Sequence, residues 1–108
     1  MNKSDRSDNP GLSLIQFYRD IWNKRERVSA VSGKRLLYFD VCCFAHVLAK
    51  GKYPKFKFYE KNICLLTPYE HFLVDSSTKE LRDKYAKENP SCAWERFYDL
   101  RDELLKEY

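Results

Sequence analysis

Two histidines, an asparagine and an aspartate stand at intervals that chemistry could use. His46 is followed sixteen positions later by Asn62, nine after that by His71, and four after that by Asp75. A neutral imidazole titrates near working pH and can take a proton from water. Four residues is about one helical turn, so His71 and Asp75 project from one helix face, where together they can grip a metal ion. Phosphodiester cleavage needs an activated water and a positive charge opposite the leaving oxygen; one base and one cation are sufficient. Plainer readings exist for each residue alone. His46, beside Phe44 and Val47, can be a hydrogen-bonded core histidine. Asn62 can be a turn residue, His71 and Asp75 a polar pair on a solvated face, and Asp75 a helix end before Ser76.

The elements that must position these residues are legible in outline. Leu14, Ile15, Phe17, Tyr18, Ile21 and Trp22 recur at helical spacing and predict an amphipathic helix over 13–26. Residues 29–39 read as two short strands about a Ser32–Gly33 turn. Residues 41–48, rich in β-branched and aromatic side chains, predict a strand carrying His46. A long basic loop follows, then a short buried strand opened by Asn62. Thr67, Pro68 and Glu70 form the start of a helix, with a capping box between Thr67 and Glu70. A second capping box, Ser77 with Glu80, predicts a helix over 78–88, ended by Asn89–Pro90. The last helix, 91–108, carries Trp94, Phe97, Tyr98, Leu104, Leu105 and Tyr108 as a core-facing stripe. The expected class is α+β: a strand–loop–strand–helix core flanked by an N-terminal helix and two C-terminal helices.

The chain's 108 residues suit one domain, 44% apolar and 16% aromatic, so large flat side chains should build much of one modest core. Residues 1–12 are polar and read as a disordered lead to a domain over 13–108. They lack the apolar segment of a secretory signal, and no apolar run approaches the roughly 20 residues of a membrane span. A cytoplasmic protein without a membrane partner is therefore expected. Cys42, Cys43, Cys64 and Cys92 make no CxxC pair, so their spacing offers no zinc knuckle, and reduced thiols are expected. Adjacent Cys42 and Cys43 would make a strained pair, which argues against a redox role.

The net charge of +4 is unevenly spread: +4 over residues 1–39, +1 over 40–75 and −1 over 76–108. Within the middle segment Lys50, Lys52, Lys55, Lys57 and Lys61 crowd together, opposed only by Glu60. Such a lobe is either a solvated loop or a contact for a polyanion.

Taken together, His46, Asn62, His71 and Asp75 on a strand–strand–helix order resemble the HNH nucleases, also called ββα-metal or His-Me finger nucleases. The motif covers residues 40–76, and the flanks look like those of small phage-type HNH proteins. The resemblance implies a metal-dependent endonuclease hydrolysing DNA. His46 would be the general base, and Asn62 would pin the long loop and keep His46 in line. His71 and Asp75 would hold a divalent ion. Imidazole with carboxylate tolerates Mg, Mn, Ni or Zn. The five lysines would meet the backbone of double-stranded DNA without reading sequence. Pairing into a homodimer is compatible with cutting two strands, and a phage-encoded enzyme would work in the bacterial host cytoplasm.

One residue departs from that family pattern. The position before the base usually carries Asp, Glu or His as a further ligand, and here it is Ala45. Waters and substrate phosphate can complete the shell, which is the favoured expectation. Alternatively Asp40 or Cys43 steps in, or the domain binds nucleic acid or a protein partner without cutting.

Overall fold

Phe44 and Ala45 are neighbours in the chain and belong to different halves of the core. The computed structural model describes residues 10–108, with side chains from Leu14 onward. Phe44 and Ala45 lie on β1 (Phe44–His46), which pairs antiparallel with β2 (Ile63–Leu65). Phe44 stands opposite Leu65, Ala45 opposite Cys64 and His46 opposite Ile63. Side chains alternate across a strand. Phe44, Ile63 and Leu65 therefore join one layer, while Ala45, Cys64 and the following Leu66 join the other. A two-stranded ribbon is marginal on its own in water; here both faces are covered.

The first face is covered by α1 (Pro10–Lys24). Its Phe17, Tyr18, Ile21 and Trp22 are buried against Leu36, Phe44, Ile63 and Leu65. Tyr18 stacks on Phe44 with ring centroids 4.6 Å apart, and Trp22 meets Phe39 edge-on at 5.9 Å. The second face is covered by three helices: α2 (Pro68–Ser76), α3 (Lys79–Glu88) and α4 (Glu95–Glu107). Leu73, Tyr85, Phe97 and Leu104 are their buried contributions to that layer. The result is an α+β protein of four helices and one two-stranded antiparallel ribbon among the described residues. No helix among them is long and apolar enough to cross a membrane.

The outer edge of β2 is occupied by side-chain and loop groups. The Arg25 guanidinium donates to the Ile63 and Glu60 carbonyls, each at 2.6 Å, and the Ala30 N–H donates to the Leu65 carbonyl at 2.8 Å. Exposed strand edges template pairing with other chains, and these contacts take up that edge.

Several boundaries differ from the expected ones, each for a visible reason. The helix expected over 13–26 runs 10–24, so residues 10–12 are helical; residues 1–9 of the expected lead lie outside the described residues. The strand expected over 41–48 is shorter, because the Asp40 carboxylate accepts from the Cys42 N–H at 2.8 Å and turns 41–43 into a 3-10 helix. The two strands about Ser32–Gly33 reduce to one bridge, Val28 with Arg35, and Gly33 takes the turn at φ 76°. Thr78, not Ser77, caps α3, accepting from the Leu81 N–H; Ser77 instead donates to the Leu73 carbonyl at the end of α2. The last helix starts at 95, not 91. Residues 91–93 are held by the hairpin turn, with Ser91 Oγ donating to Ser32 and the Ala93 N–H to Val31.

Candidate functional site

Strand alternation puts His46 on the same face as Phe44, the face covered by α1. Its ring is half-buried, 6.1 Å from that of Tyr18, and its Nε2 lies 2.9 Å from the Lys57 carbonyl oxygen. A carbonyl only accepts, so Nε2 carries the hydrogen and, in the neutral ring, Nδ1 keeps the lone pair. Burial pushes the His46 pKa below its ordinary 6.5. The Lys57 carbonyl bond pulls the other way, and the charges of Lys50, His71 and Lys57 add to the lowering. A ring that is neutral at pH 7 with one open nitrogen is a competent proton acceptor.

Asn62 is fully buried and spends its amide on the loop that follows β1. Its Oδ1 accepts from the Leu48 N–H at 2.7 Å, while Nδ2 donates to the Leu48 and Phe56 carbonyls at 3.0 and 3.2 Å. The Val47 N–H donates to the Asn62 carbonyl at 2.9 Å. These bonds tie the start, middle and end of segment 48–62 together, two residues beyond His46. The Lys57 carbonyl that orients His46 belongs to the same segment.

His71 and Asp75 occupy one face of α2, as a four-residue spacing requires. The helix starts where Thr67 Oγ accepts from the Glu70 N–H and the Glu70 carboxylate accepts from the Thr67 N–H. His71 Nδ1 is 2.7 Å from the Cys42 carbonyl oxygen, and Nε2 is 2.8 Å from Asp75 Oδ2. Both ring nitrogens thus face acceptors. A neutral imidazole has one N–H to offer, and the carbonyl takes it at Nδ1. Both acceptors are satisfied by a ring protonated at both nitrogens; with Nδ1–H alone, Nε2 and the carboxylate can share a carboxyl proton or a cation.

His46, His71 and Asp75 line a single cleft of about 790 Å³, with Lys50 beside them. Apolar side chains also line it: Leu14, Ile15 and Tyr18 of α1 together with Val41. Reading the sequence missed this lining. The α1 residues look like core at helical spacing, and only the tertiary arrangement separates buried Phe17 from cleft-lining Ile15.

No third protein ligand joins the pair: among the described residues, no group of three or more His, Cys, Asp or Glu side chains could hold a metal ion. Ala45 is fully buried in the layer beneath α2–α4. Asp40 is engaged at the Cys42 N–H. Cys43 is buried in the aromatic layer, and burial raises its thiol pKa to about 11. Neither stand-in considered for the missing ligand is among the residues that line the cleft.

The five lysines have different immediate neighbours. Lys50 lines the cleft. Lys52 and Lys57 lie near the rings of Tyr53 and Phe58. Lys55 sits 4.5 Å from the centroid of the Tyr108 ring and donates to that residue's main-chain oxygen at 3.4 Å. Lys61 pairs with Glu107 at 2.5 Å and Glu103 at 3.5 Å on α4.

A further polar group escaped the sequence reading. Glu70, expected only to close a capping box, also accepts from Ser29 Oγ at 2.6 Å, Ser32 Oγ at 2.5 Å and Tyr85 Oη at 2.7 Å. Burial opposes its charge, but the hydrogen bonds from Ser29, Ser32, the Thr67 N–H and Tyr85 outweigh it, and the pKa falls below the ordinary 4.5. Nothing local in the sequence signals those partners, which lie 41, 38 and 15 positions away.

No protein-family model, curated protein or solved structure matches the chain.

Proposed function

We propose that this chain is a metal-dependent endonuclease of the HNH type that hydrolyses DNA phosphodiester bonds. One observation carries the reading: an imidazole from β1 and an imidazole–carboxylate pair from α2 converge on one cleft. Nδ1 of His46 would take the proton of a water as its oxygen attacks phosphorus. The Nε2–H bond to Lys57 keeps that nitrogen available by fixing the tautomer. Asn62 acts as a positioning residue, because the segment it ties down supplies the Lys57 carbonyl.

The donor set of His71 and Asp75 fits a divalent cation. Nδ1–H on a backbone carbonyl is the outer contact that orients a ligating imidazole. Nε2 of His71 and Oδ2 of Asp75 are 2.8 Å apart, so the two donors would reach one ion together. A bound divalent ion would supply positive charge opposite the leaving oxygen. With two protein donors, waters and the substrate phosphate would make up the remaining shell.

The test is cleavage of supercoiled plasmid in Mg, Mn or Ni, with EDTA and His46→Ala as controls. Metal-dependent cutting should fall at least about a hundredfold in the variant. Equal behaviour of wild type and variant in every metal would overturn the enzyme reading. A second reading, a nucleic-acid or protein-binding module without catalysis, is favoured by Ala45, whose side chain can donate nothing to a metal. It predicts either salt-sensitive gel shifts with no cutting or no DNA affinity at all.

A further inference from the structure

The cleft lining mixes ionisable and apolar side chains, and that mixture bears on its substrate. His46, His71, Asp75 and Lys50 line the cleft together with the apolar Leu14, Ile15, Tyr18, Val41 and Phe44. Ile15 and Val41 remain 42% and 46% exposed. Exposed apolar area costs about 25 cal/mol per Å², and the core does not require either residue, since α1 already buries Phe17, Tyr18, Ile21 and Trp22. A site that met only sugar and phosphate would gain little from such a lining. An intact duplex offers little else at its backbone, because its bases are stacked inside. An unpaired nucleotide offers a phosphate and, on the same unit, a flat base face that packs on apolar or aromatic side chains. The volume of about 790 Å³ lies within the roughly 300–1,000 Å³ of pockets that enclose small molecules.

We infer that the cleft takes an unpaired nucleotide, with its phosphate toward His46 and Lys50 and its base against Ile15 and Val41. The preferred substrate class is then single-stranded or flapped nucleic acid, not uninterrupted duplex. This inference rests on the proposed function for the role of the ionisable side chains. The apolar lining is an independent observation.

The experiment measures binding without chemistry. Fluorescein-labelled single strand, flapped duplex and blunt duplex of one sequence are titrated in EDTA, and anisotropy is followed for wild type, Ile15→Asn and Val41→Asn. Both substitutions are neutral in charge, so the electrostatic part of binding is unchanged. Single strand and flap should bind about tenfold tighter than blunt duplex, and each variant should lose about fivefold on those two ligands alone. Equal or tighter binding of blunt duplex by the wild type overturns the inference, whatever the variants do. So do variants that match wild type on single strand, or that weaken all three ligands by one factor. Plasmid cleavage in metal separates the two ideas. Cutting with no single-strand preference sinks the unpaired-nucleotide inference alone; preference without cutting in any metal sinks the enzyme alone. Failure to bind any of the three ligands sinks both.

Discussion

Two carboxylates on α2 lead opposite lives. Glu70 is fully buried, and its two oxygens receive three hydroxyls and one backbone N–H. Asp75, five residues on, is largely exposed and shares one imidazole that has a second acceptor at its other nitrogen. Among the described residues, no buried side-chain nitrogen or oxygen lacks a partner. The protein thus completes its polar chemistry wherever water is excluded. The pair beside the cleft is the contrast: its imidazole lies between two acceptors and its carboxylate is exposed. The lesson is that a buried, fully partnered carboxylate belongs to the architecture, while an exposed one beside a cavity is free to take a role in the proposed chemistry.

The comparison breaks first at Glu70. Replacing it by alanine strands the Ser29, Ser32 and Tyr85 hydroxyls around a void. The expected cost is about 3–5 kcal/mol by urea unfolding. A loss under about 1 kcal/mol would mean that the network is ornamental. Next in size is His46→Ala: at least a hundredfold in cleavage rate, as above, against a stability loss near 1 kcal/mol from the Lys57 bond.

Two pH profiles sharpen the contrast. Glu70 has a folded pKa below its unfolded 4.5. Its charge therefore contributes stability in full above pH 4.5, and that contribution is lost as pH falls toward the folded value. Thermal melts of Glu70→Gln should show a lower plateau and a flatter acid limb than wild type. For His46, burial lowers the pKa, so cleavage should rise with pH through a midpoint below 6.5. A midpoint above 6.5 would remove His46 from the role of base. The smallest expected effect is on the open pair. His71→Gln should cost less than about 1 kcal/mol of stability, while calorimetric titration with Mn should lose its saturable heat. A large destabilisation would reclassify His71 as part of the scaffold.

Much of the frame was legible in the sequence because it is written locally. The Thr67–Glu70 box, the helical stripe of α1, the order of strands and helices, and the one-turn spacing of His71 and Asp75 all depend on neighbours a few positions apart. What escaped depends on which of several local bonds wins, or on distant groups. Residues 41–43 carry strand-like composition, yet one carboxylate from Asp40 bends them into a turn. Ser77 and Thr78 are both plausible caps, and the Leu73 carbonyl claims the first. Lys61 lies in a basic run in sequence and in an acidic neighbourhood in space, because α4 returns Glu103 and Glu107 to it. The partners of Glu70 and the apolar lining of the cleft arise only when α1 and the hairpin close over the ribbon.

The thiols offer a practical handle. Cys43 and Cys64 are buried and Cys92 is partly covered, and burial raises their pKa values to about 11, 12 and 11. Cys42 alone is exposed; it lines the cleft, its thiol pKa is also raised by desolvation and Asp40, and its carbonyl orients His71, so exposure is what sets it apart. A maleimide dye should label that one position without any engineered mutation, giving an optical reporter whose emission follows whatever enters between α1 and α2.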